Sequence, residues 1–272
     1  MRRSGMGGFG GMGGFGSGGF GRGHLSMRSG NPALSADTFT RVPGMPGVGG
    51  EAMTVGGTVN KTAMSLVVLF IAAFYAWGRA TQGDLPTWWL IGAGIGGFVM
   101  AMATVFKPIW APYTTPAYAA LQGVFLGAIS YQVEQLYPGI AAQAVFLTFG
   151  VLGSLLFAYQ SGIIRATENF KLGVFAATAG IGVVYLLSFV LGFFGMSVPL
   201  IHSSGTFGIL FSLFVVVIAS LNLVLDFDFI EQGAEHGAPK YMEWYGAFGL
   251  LVTLVWLYLS ILRLLMKLNS RD

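Results

Sequence analysis

The chain has 272 residues, of which 54% are apolar and only 9% are charged, and its formal net charge is +3. Soluble domains carry about 25% charged residues, so a mean hydropathy of +0.71 excludes an ordinary soluble domain and predicts a polytopic membrane protein. The sequence contains no cysteine, which excludes disulfides, thiol catalysis, iron–sulfur clusters and cysteine-ligated zinc.

The first fifty residues differ in composition from the remainder of the chain. They repeat a Gly-Gly-Phe/Met unit and contain 17 of the 42 glycines. Glycine at this density loses more backbone entropy on ordering than sparse Phe and Met side chains can offset. We therefore predict a disordered, basic Gly/Phe/Met-rich tail over 1–50 and a transmembrane domain over 51–272. The tail is either a tether without a specific role, the simpler interpretation, or a segment that contacts anionic lipid or partners through Arg and Phe.

Seven apolar segments follow the tail, and each is close to the ~20 residues that a helix needs to cross a bilayer. Short connections separate them, and many of these contain Pro, Gly or Trp. We predict an all-α membrane protein that forms a bundle of seven transmembrane helices. The predicted segments cover residues 62–79, 87–106, 117–133, 139–160, 172–194, 206–225 and 246–266.

The distribution of Lys and Arg predicts how the bundle is oriented. With a cytoplasmic N-terminus, ten of these residues lie on the cytoplasmic side and four on the other, as the positive-inside rule favours. We therefore expect a multi-pass protein of the cell (inner, cytoplasmic) membrane with its N-terminus in the cytoplasm. Seven spans then place the basic C-terminus outside, against the rule, whereas a last segment that enters and returns would keep it inside.

Three amides fall at membrane depth: Gln122, Gln143 and Asn222. Each needs a hydrogen-bond partner there, because lipid offers none. A single buried amide is more often an interhelical hydrogen bond than a transport site. Together the three could also line one polar route across the membrane.

Five of the eleven acidic residues fall within eighteen residues, Asp226 to Glu243, between the last two apolar segments. If the sixth helix continues to about Glu235, the carboxyls of Asp228, Glu231 and Glu235 share one face, and Asp226 points elsewhere. Asp226 therefore faces the bundle if the other three face the cytoplasm, or the reverse. A carboxyl within the membrane is costly unless it is paired, hydrated or protonated, so Asp226 is the best candidate for a functional group. The others, with Glu243, are expected to form a solvated mouth that attracts cations.

Signatures of catalysis are weak, and we expect no enzyme, no catalytic residues and no metal site or cofactor. His202, Ser203 and Ser204 are adjacent, but adjacency is not the geometry of a catalytic triad, and a turn after Pro199 explains them better. The chain has no phosphate-binding loop, His-rich motif or nucleotide fingerprint, and nucleic acid is not an expected partner. The expected partners are the lipid bilayer and other membrane proteins.

Three segments resemble the Bax inhibitor-1 (TMBIM) family, which includes the bacterial YccA-like proteins. The run LNLVLDFDFIEQGAEHG resembles the end of that family's sixth helix and the loop after it. PAYAALQGVFLGAIS and YPGIAAQAVFLTFGVL resemble its Y-A-x-x-E-G-x-x-L-G and P-G-I-x-x-Q-A patterns. The resemblance covers about residues 55–268. The tail 1–50 lies outside it and is similar to the Gly-rich extension of some bacterial members.

The resemblance implies a seven-helix bundle with a central last helix that acts as a pH-sensitive calcium leak. In that family two Asp residues, one ending helix six and one in helix seven, share a proton and close the pore. Asp226 matches the first position, whereas Thr253 stands about where the second Asp is expected, and Gln122 replaces a Glu that is usual in helix three. The resemblance therefore implies either Asp226 with Thr253 as a neutral partner, or Asp228 in the second role.

Two functions remain open from the sequence. The first is a channel-like protein that lets Ca²⁺ or protons leak across the membrane, with Asp226 as the titrating gate. The second is a non-conducting scaffold or regulator of other membrane proteins, including membrane proteases. Retention of Asp226 and the acidic cluster favours the first, and loss of the second Asp favours the second.

Overall fold

The computed structural model describes residues 51–84, 86–194 and 205–270. The predicted disordered tail over 1–50 and the His202–Ser204 turn lie outside these residues. The described chain folds into long α-helices, with a short 3-10 helix at Pro108–Trp110 and no strand in the described ranges beyond an isolated bridge between Ala52 and Pro239.

Seven long helices account for the seven predicted apolar segments, so the predicted seven-helix fold is confirmed. Several are longer than predicted, because each continues past the apolar stretch into polar residues at its ends. The helices are α1 Val55–Thr81, α2 Thr87–Phe106, α3 Ala111–Leu136, α4 Ile140–Gln160, α5 Glu168–Phe193, α6 Thr206–Glu235 and α7 Met242–Asn269.

Six of the seven helices are long and apolar enough to cross a membrane by length and composition, and α3 is the exception. Helix α3 contains an internal proline at Pro116 and several polar side chains, which lower its apolar content. It packs most extensively against α1 and α2 and also contacts α4 and α7. Its neighbours therefore shield much of its polar surface.

Helix α7 lies at the centre of the bundle. It contacts α1, α3, α4 and α6, and two-thirds of its most apolar stretch is buried inside the protein, against 11–50% for the other five candidate spans. Tyr245 and Phe248 near its start, and Leu251 and Leu257 further along, are almost fully buried. The main hydrophobic core is therefore built around this last helix.

Helices α1 and α3 approach closely because two glycines of α3 lie on the contact. A Cβ atom at Gly123 would lie 2.3 Å from the carbonyl oxygen of Leu69, and one at Gly127 would lie 2.3 Å from that of Ala73. Small residues of this kind let helices pack tightly in a membrane, where the hydrophobic effect does not drive helices together. The contact brings α1 against the inner helices of the bundle.

Helix α5 lies at the edge of the bundle and packs mainly against α6. Thr178 of α5 accepts a hydrogen bond from Asn222 of α6, and Tyr185 packs edge-on against Phe211. Because residue numbers rise along α5 as they fall along α6, the two helices are antiparallel. The C-terminal end of α6 and the N-terminal ends of α1, α5 and α7 thus meet at one end of the bundle, which we call the acidic end.

Candidate functional site

Asp226 is fully buried in the interior of α6. It lies nine residues before the helix ends at Glu235, which corresponds to about 13 Å along the axis. Its side chain is 0% exposed, and neither carboxyl oxygen has a regular hydrogen-bond partner among the described residues. Buried polar groups are almost always hydrogen-bonded, so an unpartnered buried carboxyl requires an explanation.

The polar group that interacts with the Asp226 carboxyl is the hydroxyl of Thr253, in a geometry looser than a regular hydrogen bond. Thr253 lies on the central helix α7 and is itself 2% exposed. Helix α6 packs extensively against α7, and the site consists of one carboxyl from α6 and one hydroxyl from α7. The structure thus brings together the two residues that sequence comparison placed opposite each other.

Asp228 points away from this pair, toward the edge of the bundle. Its carboxylate lies 2.9 Å from Nζ of Lys171 on α5 and accepts a hydrogen bond of 2.6 Å from Nε2 of Gln232. An Asp that is already paired with a lysine on another helix does not face Thr253. Of the two alternatives for the second position, the geometry favours Thr253 over Asp228.

Glu231 and Glu235 lie on the same face of α6 as Asp228, as the helical spacing predicts, but Asp228 is half-buried against Lys171. Glu231 accepts a hydrogen bond from the hydroxyl of Tyr159 on α4. Both carboxylates are exposed at the acidic end. They lie where a cation approaching the bundle from that end would meet them.

The three membrane-depth amides do not converge on one route. The Gln122 side chain faces Gly97 of α2, and its Oε1 is buried without a partner. Asn222 donates to Thr178 and to the carbonyl of Ile218, whereas Gln143 is exposed near the start of α4. The contacts of Gln122 and Asn222 thus lie between different pairs of helices, and Gln143 contributes to neither.

Glu243 is buried, so the expectation that it belongs to a solvated mouth is wrong. Its side chain is 0% exposed, and its Oε2 lies 2.5 Å from Nζ of Lys61 on α1. Its Oε1 accepts the backbone N–H and the hydroxyl of Thr54, at 3.0 and 2.9 Å, and lies 3.2 Å from Nζ of Lys240. Lys240 precedes α7, and this bond to Glu243 raises the pKa of its ammonium group.

Gly57 of α1 provides the space that this buried carboxylate occupies. A Cβ atom at Gly57 would lie 2.0 Å from Oε1 of Glu243, so a larger residue would displace the carboxylate. The sequence placed Lys61 and Lys240 on the same side of the membrane, but no periodicity links Lys61 to a glutamate 182 residues away. Only the tertiary structure identifies this cluster of Glu243, Lys61, Lys240 and Thr54, which we call the Glu243 cluster.

Within the described residues, no group of three or more His, Asp or Glu side chains is placed to hold a metal ion. Asp226 differs from Glu243, the other fully buried carboxyl described, because neither of its oxygens has a regular hydrogen-bond partner among the described residues. One buried carboxyl beside a hydroxyl can exchange a proton, or can contribute one oxygen to a passing cation with water supplying others.

A model of the Bax inhibitor 1 like family matches residues 24–270 of the chain. The match begins well before residue 55, so it includes part of the Gly-rich region that the sequence comparison had placed outside the resemblance. No match was found among curated proteins or among solved structures. Since the family model covers nearly the whole chain, from the tail through the central helix, this membrane protein belongs to the Bax inhibitor 1 like family.

Proposed function

We propose that this protein is a pH-sensitive leak for cations, with Ca²⁺ as the ion and Asp226 as the titrating gate. One observation carries the proposal: the carboxyl of Asp226 is fully buried, lacks a regular hydrogen-bond partner and lies against the central helix beside Thr253. Buried, unpaired ionisable residues in membrane helices are most often part of an ion or proton pathway.

The physical basis of gating is the cost of a charge in a dry interior. A protonated carboxyl is neutral and is compatible with tight packing of α6 against α7. An ionised carboxylate there must be compensated by water or by a cation, because among the described residues the polar side chain beside it is Thr253, which offers one hydroxyl. Ca²⁺ binds oxygen ligands, so deprotonation favours a hydrated, cation-permeable state. Flux should therefore rise with pH.

The exposed carboxylates of Glu231 and Glu235 support the proposal at the acidic end. Charged groups of one sign at the entrance of a pathway raise the local concentration of oppositely charged ions. These two glutamates would concentrate cations without taking part in gating. Their effect should weaken at high ionic strength, because exposed charges are screened by salt.

Calcium flux into proteoliposomes measured between pH 6 and 8 tests the proposal. We expect wild-type flux to increase across this range, because Asp226 loses its proton, and we expect Asp226→Asn to abolish the dependence on pH. Asp228→Asn is the matched control, since it removes a carboxylate two residues away that is paired with Lys171. Wild-type flux that does not respond to pH would refute the gate.

A non-conducting scaffold or regulator of other membrane proteins or membrane proteases is the second candidate. One observation favours it: Gln122 and Asn222 have contacts on different helix pairs and Gln143 is exposed, so the three amides do not line a common route. This candidate predicts no wild-type flux at any pH in the same assay. For either function we propose that the protein lies in the cytoplasmic membrane with a cytoplasmic N-terminus and has no catalytic residues.

A further inference from the structure

A groove of about 450 Å³ opens between α1 and α4, away from the acidic end. Phe70 and Ala73 of α1 form one wall, and Ala142 and Val145 of α4 form the other. Its floor consists of α3 and of Leu254 on the central helix α7. Nothing in the proposed leak uses this groove.

The mouth of the groove faces the hydrocarbon of the bilayer. Phe74 and Phe146, on its two walls, are 74% and 78% exposed, and both belong to helices of spanning length and composition. Because the lining is almost wholly apolar, water gains few hydrogen bonds by entering it. The medium available to fill the groove is therefore the chains of membrane lipids.

The dimensions of the groove match one lipid chain. Its lining on α1 runs from Leu66 to Trp77, eleven helical steps that correspond to about 16 Å. Half the hydrocarbon core of a bilayer is about 15 Å thick. A single chain from one leaflet would thus occupy the groove along its length.

The polar groups of the groove lie where a lipid headgroup would be. Glu134 stands two residues before α3 ends, and it accepts the backbone N–H groups of Gly139 at 2.6 Å and Ala141 at 3.3 Å. No described basic residue forms an ion pair with it. A carboxylate offers about four acceptor positions, so two backbone N–H groups leave acceptor positions of Glu134 free. Ser130 and Tyr258, joined by a hydrogen bond of 2.6 Å, lie one turn deeper.

We propose that this groove binds one hydrocarbon chain of a phospholipid whose headgroup carries an ammonium group, with that group at Glu134. The ammonium group pairs with the Glu134 side chain, which forms no ion pair with a described basic residue. The hydrocarbon chain covers apolar side chains of α1, α3, α4 and α7. Because Leu254 and Val255 directly follow Thr253, the bound chain lies against the central helix next to the candidate site. The binding does not depend on whether the protein conducts ions.

Photo-labelling of the full chain in lipid vesicles tests the proposal. The vesicles consist of phosphatidylglycerol with a trace of phosphatidylethanolamine that carries a diazirine in its acyl chain, and labelled peptides are identified by mass spectrometry. We expect labels to concentrate on the groove residues of α1, α4 and α7. The same diazirine on phosphatidylglycerol should label the groove about tenfold less, which corresponds to about 1.4 kcal/mol.

Two variants separate groove binding from general contact with lipid. Ala142→Trp fills the groove from an exposed position of α4 and should abolish groove labelling, whereas Ala63→Trp, at an exposed position of α1 outside the groove, should not. Glu134→Gln should reduce phosphatidylethanolamine labelling to the phosphatidylglycerol level. Labelling no stronger in the groove than on the outer face of α5, or equal labelling by the two lipids, would overturn the proposal.

Discussion

The two fully buried carboxyl groups described, those of Glu243 and Asp226, have very different surroundings. Glu243 is surrounded by Lys61, Lys240 and Thr54, so its charge is compensated. Asp226, among the described residues, has a loosely placed Thr253 hydroxyl beside it and no basic partner. Removing one partner of a compensated buried carboxylate destabilises a fold, whereas a buried carboxylate without such partners itself costs stability. Because of this contrast we propose a structural role for Glu243 and a functional role for Asp226.

Glu243→Gln should destabilise the protein by on the order of 2 kcal/mol, because two lysines then remain close together without the carboxylate that holds them. The midpoint of thermal unfolding in detergent micelles measures this loss. Glu235→Gln, at an exposed position of the same end, is the control and should leave the midpoint unchanged. Equal stability of Glu243→Gln and wild type would mean that the Glu243 cluster does not hold α1 to α7.

At the scale of elements, the sequence predicted helices better than contacts. Apolar length located all seven helices, and the spacing of Asp226, Asp228, Glu231 and Glu235 correctly separated one inward carboxyl from an outward face. Periodicity could not show that Glu243 is buried, because its partner Lys61 lies in another helix. It also could not show where membrane-depth amides point, since each α-helix presents its residues to several neighbours.

The contact between α1 and α3 yields a prediction for the packing of elements. Gly127→Ala should lower stability by about 2 kcal/mol, because the added Cβ meets the backbone of Ala73, which cannot move independently of its helix. Gly180→Ala, in the middle of α5, meets nothing within 4 Å and should be neutral or slightly stabilising. Unfolding in detergent micelles compares the two variants, and similar values for both would contradict the proposed close contact.

The whole molecule is a bundle whose two ends carry different charged residues. The acidic end holds Glu231, Glu235 and the ion-paired Glu243 cluster, and the opposite end holds Glu134 and the basic end of α7. The N-terminal end of α1 lies at the acidic end and the C-terminal end of α7 at the opposite end. The orientation of the molecule therefore determines which compartment faces the candidate cation entrance.

A single thiol determines that orientation, because the native chain has no cysteine to create a background. With a cytoplasmic N-terminus and a full crossing by α7, Ser270→Cys should react with an impermeant thiol reagent applied to intact cells. Ser161→Cys, after α4, should react only after permeabilisation. The reverse result would indicate an inverted protein, and reaction of both variants from one side would indicate that α7 does not cross.

The central position of α7 also imposes an order on biogenesis. Helices α1 to α6 are synthesised first, yet the surfaces of α1, α3, α4 and α6 that face α7 cannot be covered until α7 follows. Until then Ser130 lacks the Tyr258 hydroxyl, Lys61 lacks Glu243, and Asp226 faces no packed neighbour from α7. The surfaces that face α7 must therefore stay uncovered, or be covered by a chaperone, until α7 enters the membrane. A chain truncated before α7 would leave polar groups without their partners in the membrane.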